Sequence, residues 1–349
     1  MGWQRYWKWL TGALIGLALF LGGVIWIVDP YDSLPFSPPL ERMPLAQNQR
    51  YSYPAIARNP VFDSIVIGTS TMRLLRPDAL NEALDARFAN LSMNSATAYE
   101  QARILEVFAR RRPAPKYAII GLDVVWCTIG ESQPKYTFRR FPEWMYDANP
   151  WNDIPNLLEF KTFEVAGRQA GYLLGLRKAR YGADGYANFL PPPSEYNLEK
   201  ARKSIYRAAG PRRRDAPAAP PPGIEKKRAS WSFPSHALLE GVLNALPGAT
   251  RKILVFVPYH QFRQPPANTV EAARWRECKA RITAMARRHA NTTVLDFMIP
   301  SPITARDENY WDSLHTTNAI ADRLVELIAR GAGGRSSSDS EYVILGQGQ

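Results

Sequence analysis

"DSIVIGTSTMR", residues 63–73, is an apolar run that ends abruptly in a polar turn. An apolar run bounded by turn residues reads as a strand, and Gly68 and Thr69 supply the boundary here. The same pattern recurs outward along the chain, in "RFANLS" (87–92), "YAIIGLDVV" (117–125), "KILVFVP" (252–258) and "TTVLDF" (292–297). Amphipathic segments alternate with these runs. One lies near 97–112. Another, near 270–289, sets Trp275, Cys278, Ile282, Met285 and His289 on one helical face. A last one does the same with Ile320, Leu324, Leu327 and Ile328. Such alternation predicts βαβ units, and hence an α/β domain with a parallel five-stranded sheet.

In a parallel sheet the carboxyl ends of the strands share one edge, and ligands bind there. That edge can be read residue by residue. Ser70 falls just past the first strand, and "NLSMNSATAYE" (90–100) closes the second. "GLDVVW" (121–126) closes the third and "VPYHQF" (257–262) the fourth, placing His260 where it could touch a substrate. After the fifth comes "ENYWDSLHTTNAIADRLVELIA" (308–329), with Asp312 and His315 in a short turn before the final helix. A serine hydroxyl is a weak nucleophile until a base takes its proton and a third group fixes that base. Ser70, His315 and Asp312 supply those three roles.

These blocks resemble those of the SGNH/GDSL hydrolase superfamily. Gly68-Thr69-Ser70 looks like its Gly-Asp-Ser block, and Asp312-Ser313-Leu314-His315 matches its Asp-x-x-His block. In "NLSMNSAT", Ser95 stands where the family carries a glycine whose amide receives the oxyanion. Gly121-Leu122-Asp123-Val124 falls on the Gly-x-Asn-Asp block, with Asp123 replacing the asparagine. The resemblance implies a flavodoxin-like three-layer α/β/α sandwich. It also implies serine-dependent acyl-ester chemistry, with an oxyanion held by the Ser70 and Ser95 amides and by Asn94. An ionised Asp123 would oppose that oxyanion unless protonated or turned away, so Asp123 reads first as a residue fixing the loop after its strand, with lining the site as the alternative. The first-block threonine, a membrane anchor and a long insertion resemble the membrane-bound bacterial branch. Several of its members act in O-acylation or deacylation of envelope polysaccharides. The implied partner is an acylated envelope glycan or small acyl ester. The contrasting reading is a catalytically silent binding or assembly protein that keeps the fold.

The anchor is the uncharged run Trp9–Val28, long enough at ~1.5 Å per residue for the ~30 Å core of a bilayer. It lacks a small-residue cleavage site, so we expect an uncleaved signal-anchor. Arg5 and Lys8 before it and Asp29 and Asp32 after it predict a cytoplasmic amino end, with the main domain in the periplasm beyond the inner membrane. We expect residues 1–30 to form this anchor and 31–331 one domain, with an insertion at about 128–250. The insertion holds "FPEWMYDANPWNDIPNLLEF" and two proline clusters, "PPPSE" (191–195) and "PRRRDAPAAPPPG" (211–223). The second cluster reads as a mobile surface loop. The tail 332–349 reads as disordered.

A formal net charge of +12 raises the question of nucleic acid. The cations come in separated short runs, Arg110–Arg112, Arg212–Arg214, Lys226–Arg228 and Arg287–Arg288, with no nucleic-acid motif. We expect no such partner, and no cofactor or metal, since no His/Cys/Asp cluster has metal spacing. Of the two cysteines, Cys278 takes an apolar helical position. Two buried free thiols are therefore expected, although an oxidising compartment would permit a disulfide.

Overall fold

The computed structural model describes residues 2–206 and 216–348. Its helices are α1 (Trp3–Val28), α2 (Gln49–Arg58), α3 (Pro77–Leu84), α4 (Ala98–Arg111), α5 (Asp153–Asn156) and α6 (Phe160–Leu173). They continue as α7 (Leu198–Tyr206), α8 (Ile224–Ser230), α9 (Ser235–Ala245), α10 (Val270–Ala286) and α11 (Asn318–Ala332). The strands are β1 (Ser64–Ile67), β2 (Phe88–Asn90), β3 (Tyr117–Leu122), β4 (Arg251–Phe256), β5 (Thr292–Asp296) and β6 (Val343–Gln347). The chain divides into two compact units: residues 1–56 with 141–183, and residues 57–140 with 184–349. Of the insertion, residues 141–183 fall in the first unit and its two ends in the second.

The second unit holds the sheet, in the order β2-β1-β3-β4-β5-β6. The first five strands run parallel, and all five follow the apolar runs of the sequence. Every residue of β1, β3 and β5 is buried, and β1 and β3 accordingly carry near-continuous apolar runs that do not alternate. The chain leaves β1 for β2 on one side and returns to β3 on the other. Such a reversal opens a crevice at the carboxyl ends of the two central strands. Ile67 pairs with Ile120 there, so the turns after β1 and β3 start side by side. The Met72 side chain lies across both glycines at this edge. A Cβ on Gly68 would meet Met72 Cγ at 2.6 Å, and one on Gly121 would also clash with it. The glycines let the turn after β1 pack directly on the sheet.

The structure corrects three expectations. The sheet has six strands, because the tail expected to be disordered supplies β6. This strand runs antiparallel to β5, with Val343 opposite Asp296 and Gln347 opposite Thr293. The short run Tyr342–Leu345 is β-prone, and the Glu341 carboxylate holds it to α11 through Arg323 (2.8 Å). The two cysteines are not free thiols: Cys127 and Cys278 form a disulfide, with Cα atoms 5.5 Å apart. Cys278 is indeed buried on the inner face of α10, but that face meets the turn after β3 that carries Cys127. Arg212–Arg214 and residues 211–215 of the proline-rich segment lie outside the described residues.

In the first unit α1 is long and apolar enough to cross a membrane. Only its last two turns meet the rest of the unit, where Ile25 and Val28 are buried. α6 packs against α1, and the segment following α1 folds back toward its carboxyl end.

Candidate active site

β1 delivers the chain into a single 3-10 turn, Ser70–Met72, with Ser70 at its start. Two carbonyls of this turn region, Met72 O and Leu75 O, accept hydrogen bonds from Asn90 Nδ2 at 2.9 and 2.8 Å. Asn90 is the last residue of β2, so the sheet itself holds the turn. Facing it is the turn between β5 and α11. There Asp312 Oδ1 accepts the backbone N–H groups of Leu314 (2.7 Å) and His315 (2.9 Å). Its Oδ2 lies 2.7 Å from His315 Nδ1, and His315 Nε2 lies 2.8 Å from Ser70 Oγ.

This geometry fixes the proton positions. A carboxylate accepts, so Nδ1 carries the hydrogen that meets Asp312, and Nε2 is left with a lone pair facing the Ser70 hydroxyl. Burial works to raise the Asp312 carboxyl, but the hydrogen bond and charge of His315, with the two amides, hold it below its ordinary value. Asp312 is thus kept ionised beside the imidazole. The three residues set out from the sequence come together, 245 positions apart between Ser70 and His315.

The loop after β2 runs alongside. Met93 N–H donates to Gly68 O at 3.0 Å. Ser95 has φ 53°, the left-handed conformation that glycine adopts without strain. Asn94 Oδ1 accepts from Arg73 Nη1 at 2.9 Å. A guanidinium only donates, so the amide's donor end is the opposite one, Nδ2. Arg73 is buried, and its guanidinium also lies over the ring of Phe189, 4.6 Å from its central carbon. The edge of that same ring meets the His315 imidazole, with centroids 5.4 Å apart. Sequence reasoning missed both Arg73 and Phe189. A cation three residues past the serine was a visible signal for the first, whereas Phe189, in the insertion, had none.

Asp123 is not an oxyanion donor. It is buried, its Oδ2 accepts the Thr69 hydroxyl, and its Oδ1 accepts the Val125 amide at 3.1 Å. Burial pushes its carboxyl up to about 6, against those hydrogen bonds, which work to lower it. Its role is to tie the turn after β3 to the residue preceding Ser70.

His260 is also displaced from the expected role of touching substrate, because it is fully buried. Its Nδ1 accepts Phe262 N–H (3.2 Å), so Nε2 carries the hydrogen and donates to Asp307 Oδ1 (3.2 Å). Burial lowers its readiness to protonate, and Asp307 opposes that only in part. Asp307 gathers Tyr206 (2.6 Å) and Arg202 (2.9 Å) from α7. His260 N–H then donates to Ser313 O at 3.1 Å, inside the Asp312–His315 turn. The cluster braces that turn from behind, and α7 shows what part of the insertion does.

No family model matches the chain, and neither does any curated protein in a sequence search.

Proposed function

We propose that this protein is a membrane-anchored serine acyl-ester enzyme of the SGNH type, a hydrolase or O-acyltransferase working on an envelope glycan. The observation that carries the proposal is the unbroken relay Asp312–His315–Ser70, with both links at hydrogen-bond distance on the carboxyl edge of the sheet. The strand order β2-β1-β3-β4-β5 also supports the flavodoxin-like three-layer arrangement implied by the family resemblance.

In this mechanism His315 Nε2 takes the Ser70 proton as Oγ attacks the acyl carbonyl. The resulting oxyanion is received by the Ser70 and Ser95 amides and by Asn94 Nδ2, whose orientation Arg73 sets. His315, now an imidazolium facing ionised Asp312, returns the proton to the departing alcohol. A serine-bound acyl ester remains. Water or a sugar hydroxyl, deprotonated by the same imidazole, then takes the acyl group and restores Ser70. The charges flanking the anchor support a periplasmic location for this chemistry.

The test is turnover of an activated acetyl ester, and acetate release from an O-acetylated glycan, by the detergent-solubilised full chain. Asp312→Asn leaves the shape intact but lets the imidazole adopt the wrong tautomer, and should lower kcat by about 10⁴. An Asp312→Asn enzyme as fast as the parent would remove the relay from the mechanism.

A further inference from the structure

Where α1 ends, Arg42 folds back onto it and donates to the carbonyls of Val28 (2.8 Å) and Ile27 (3.1 Å). Three residues on, Leu45 lines a cavity of about 310 Å³ whose other walls are Arg168, Arg177, Lys178 and Arg180. Three residues of chain span at most about 11 Å, so the cavity opens near the end of α1. The Gln169 amide, in the orientation that satisfies both its partners, bonds the backbone N–H and C=O of Met43 at 3.2 and 3.0 Å. This fixes α6 beside the returning segment.

Of the four cations, Arg168 is matched by Glu164 at 2.5 Å. Arg177, Lys178 and Arg180 are exposed, and no carboxylate pairs with them among the described residues. Just before them the chain makes a tight turn. Gly175 takes φ 72°, and Leu176 N–H returns to Gly171 O at 2.8 Å. The turn holds Leu174 and Leu176 out, 73% and 77% exposed. Exposed aromatic rings also gather at the end of α1: Trp26 Nε1 donates to Phe36 O (3.1 Å), and Phe36 meets Trp151 at 5.7 Å.

Bare leucines next to unmatched cations are poorly served by water alone. They are poorly served by an apolar protein surface too, which would bury the charges without counterions. A phospholipid interface suits both, with acyl chains for the leucines and phosphates for the cations. We propose that this cavity binds the phosphate of an anionic phospholipid headgroup, with Leu174 and Leu176 entering the acyl boundary beside it. The first unit is then held to the bilayer by a second contact besides α1. The inference rests on α1 as a membrane span and not on the chemistry of Ser70.

The experiment uses the full chain in lipid nanodiscs. Among the described residues every native cysteine is in the disulfide, so Leu176→Cys provides a single thiol for an environment-sensitive fluorophore. Discs of phosphatidylcholine alone are compared with discs containing phosphatidylglycerol, with a lipid-borne quencher and a thermal melt to check folding. Blue-shifted, lipid-quenched emission is expected in the anionic discs. The ratio of inserted to free label should fall about fivefold for each of Arg177→Gln, Lys178→Gln and Arg180→Gln. Emission typical of water in both discs would overturn the proposal. So would insertion that ignores phosphatidylglycerol and the three substitutions. Inorganic phosphate that abolishes the preference at matched ionic strength would show a free-anion site instead of a headgroup site.

Discussion

Replacing Asp123 with asparagine isolates the one buried carboxylate at the edge of the proposed oxyanion site. Burial raises this carboxyl from 3.8 to about 6. The folded protein therefore holds the Asp123 proton more tightly than the unfolded chain does. The stability gained from that proton is complete below pH 3.8, and it is lost as pH rises through about 6. That interval corresponds to at most ~3 kcal/mol. Asparagine has no such proton, and its amide can still meet the Thr69 hydroxyl and the Val125 amide. The stability of Asp123→Asn relative to the parent should therefore improve by up to ~3 kcal/mol between about pH 4 and about pH 8. Denaturant melts of both proteins in the same detergent across that range measure it. Turnover of an activated ester should stay within about twofold, because Asp123 is no oxyanion donor, and removing a true donor costs ~10²–10³. A stability difference that stays constant, or one that favours the variant only in acid, would refute the burial argument. A large gain in turnover would show that the carboxylate had been repelling the oxyanion.

Asn94→Ala should lower kcat by ~10²–10³ with little change in KM, as expected for a donor used only in the transition state. Arg73→Met should lower kcat by about tenfold, and that loss should vanish in the Asn94→Ala background if Arg73 acts through the amide. Additive losses in a double-mutant cycle would separate the two residues. The Cys127–Cys278 bridge closes a loop of 151 residues. Cys127→Ser with Cys278→Ser should cost on the order of 3–5 kcal/mol, read by melts with and without reductant. Identical melts in both conditions would show that the bridge adds no stability.

The parallel strands were legible because buried strands of this kind carry near-continuous apolar runs, as in "IVI" (65–67) and "YAIIGL" (117–122). The placement of Ser70, Asp312 and His315 was legible from the same pattern, since strand ends locate the edge where ligands bind. Asp123 was legible in its favoured role, fixing the loop after its strand, while a place in the site stayed open. A residue at a strand end can face the site or turn back to cap its own loop, and only the Thr69 hydroxyl and the Val125 amide decide between them. His260 was misread for a related reason. Its position at a strand end was right, but its side chain folds under the loop to meet Asp307. Arg73 and Phe189 escaped notice because their partnership joins distant segments, and no local periodicity records it. The tail was misjudged because its serine-rich stretch dominates the composition, while five residues beyond it suffice for a strand.

The most direct test of the central claim is reaction of the full chain with a serine-reactive fluorophosphonate, followed by mapping of the adduct by mass spectrometry. The relay predicts one adduct, on the peptide bearing Ser70. It should be absent from Ser70→Ala and slowed by orders of magnitude in His315→Ala, whose serine lacks a base 2.8 Å away. An adduct on another residue, or labelling unchanged in Ser70→Ala, would contradict the assignment of Ser70 as nucleophile.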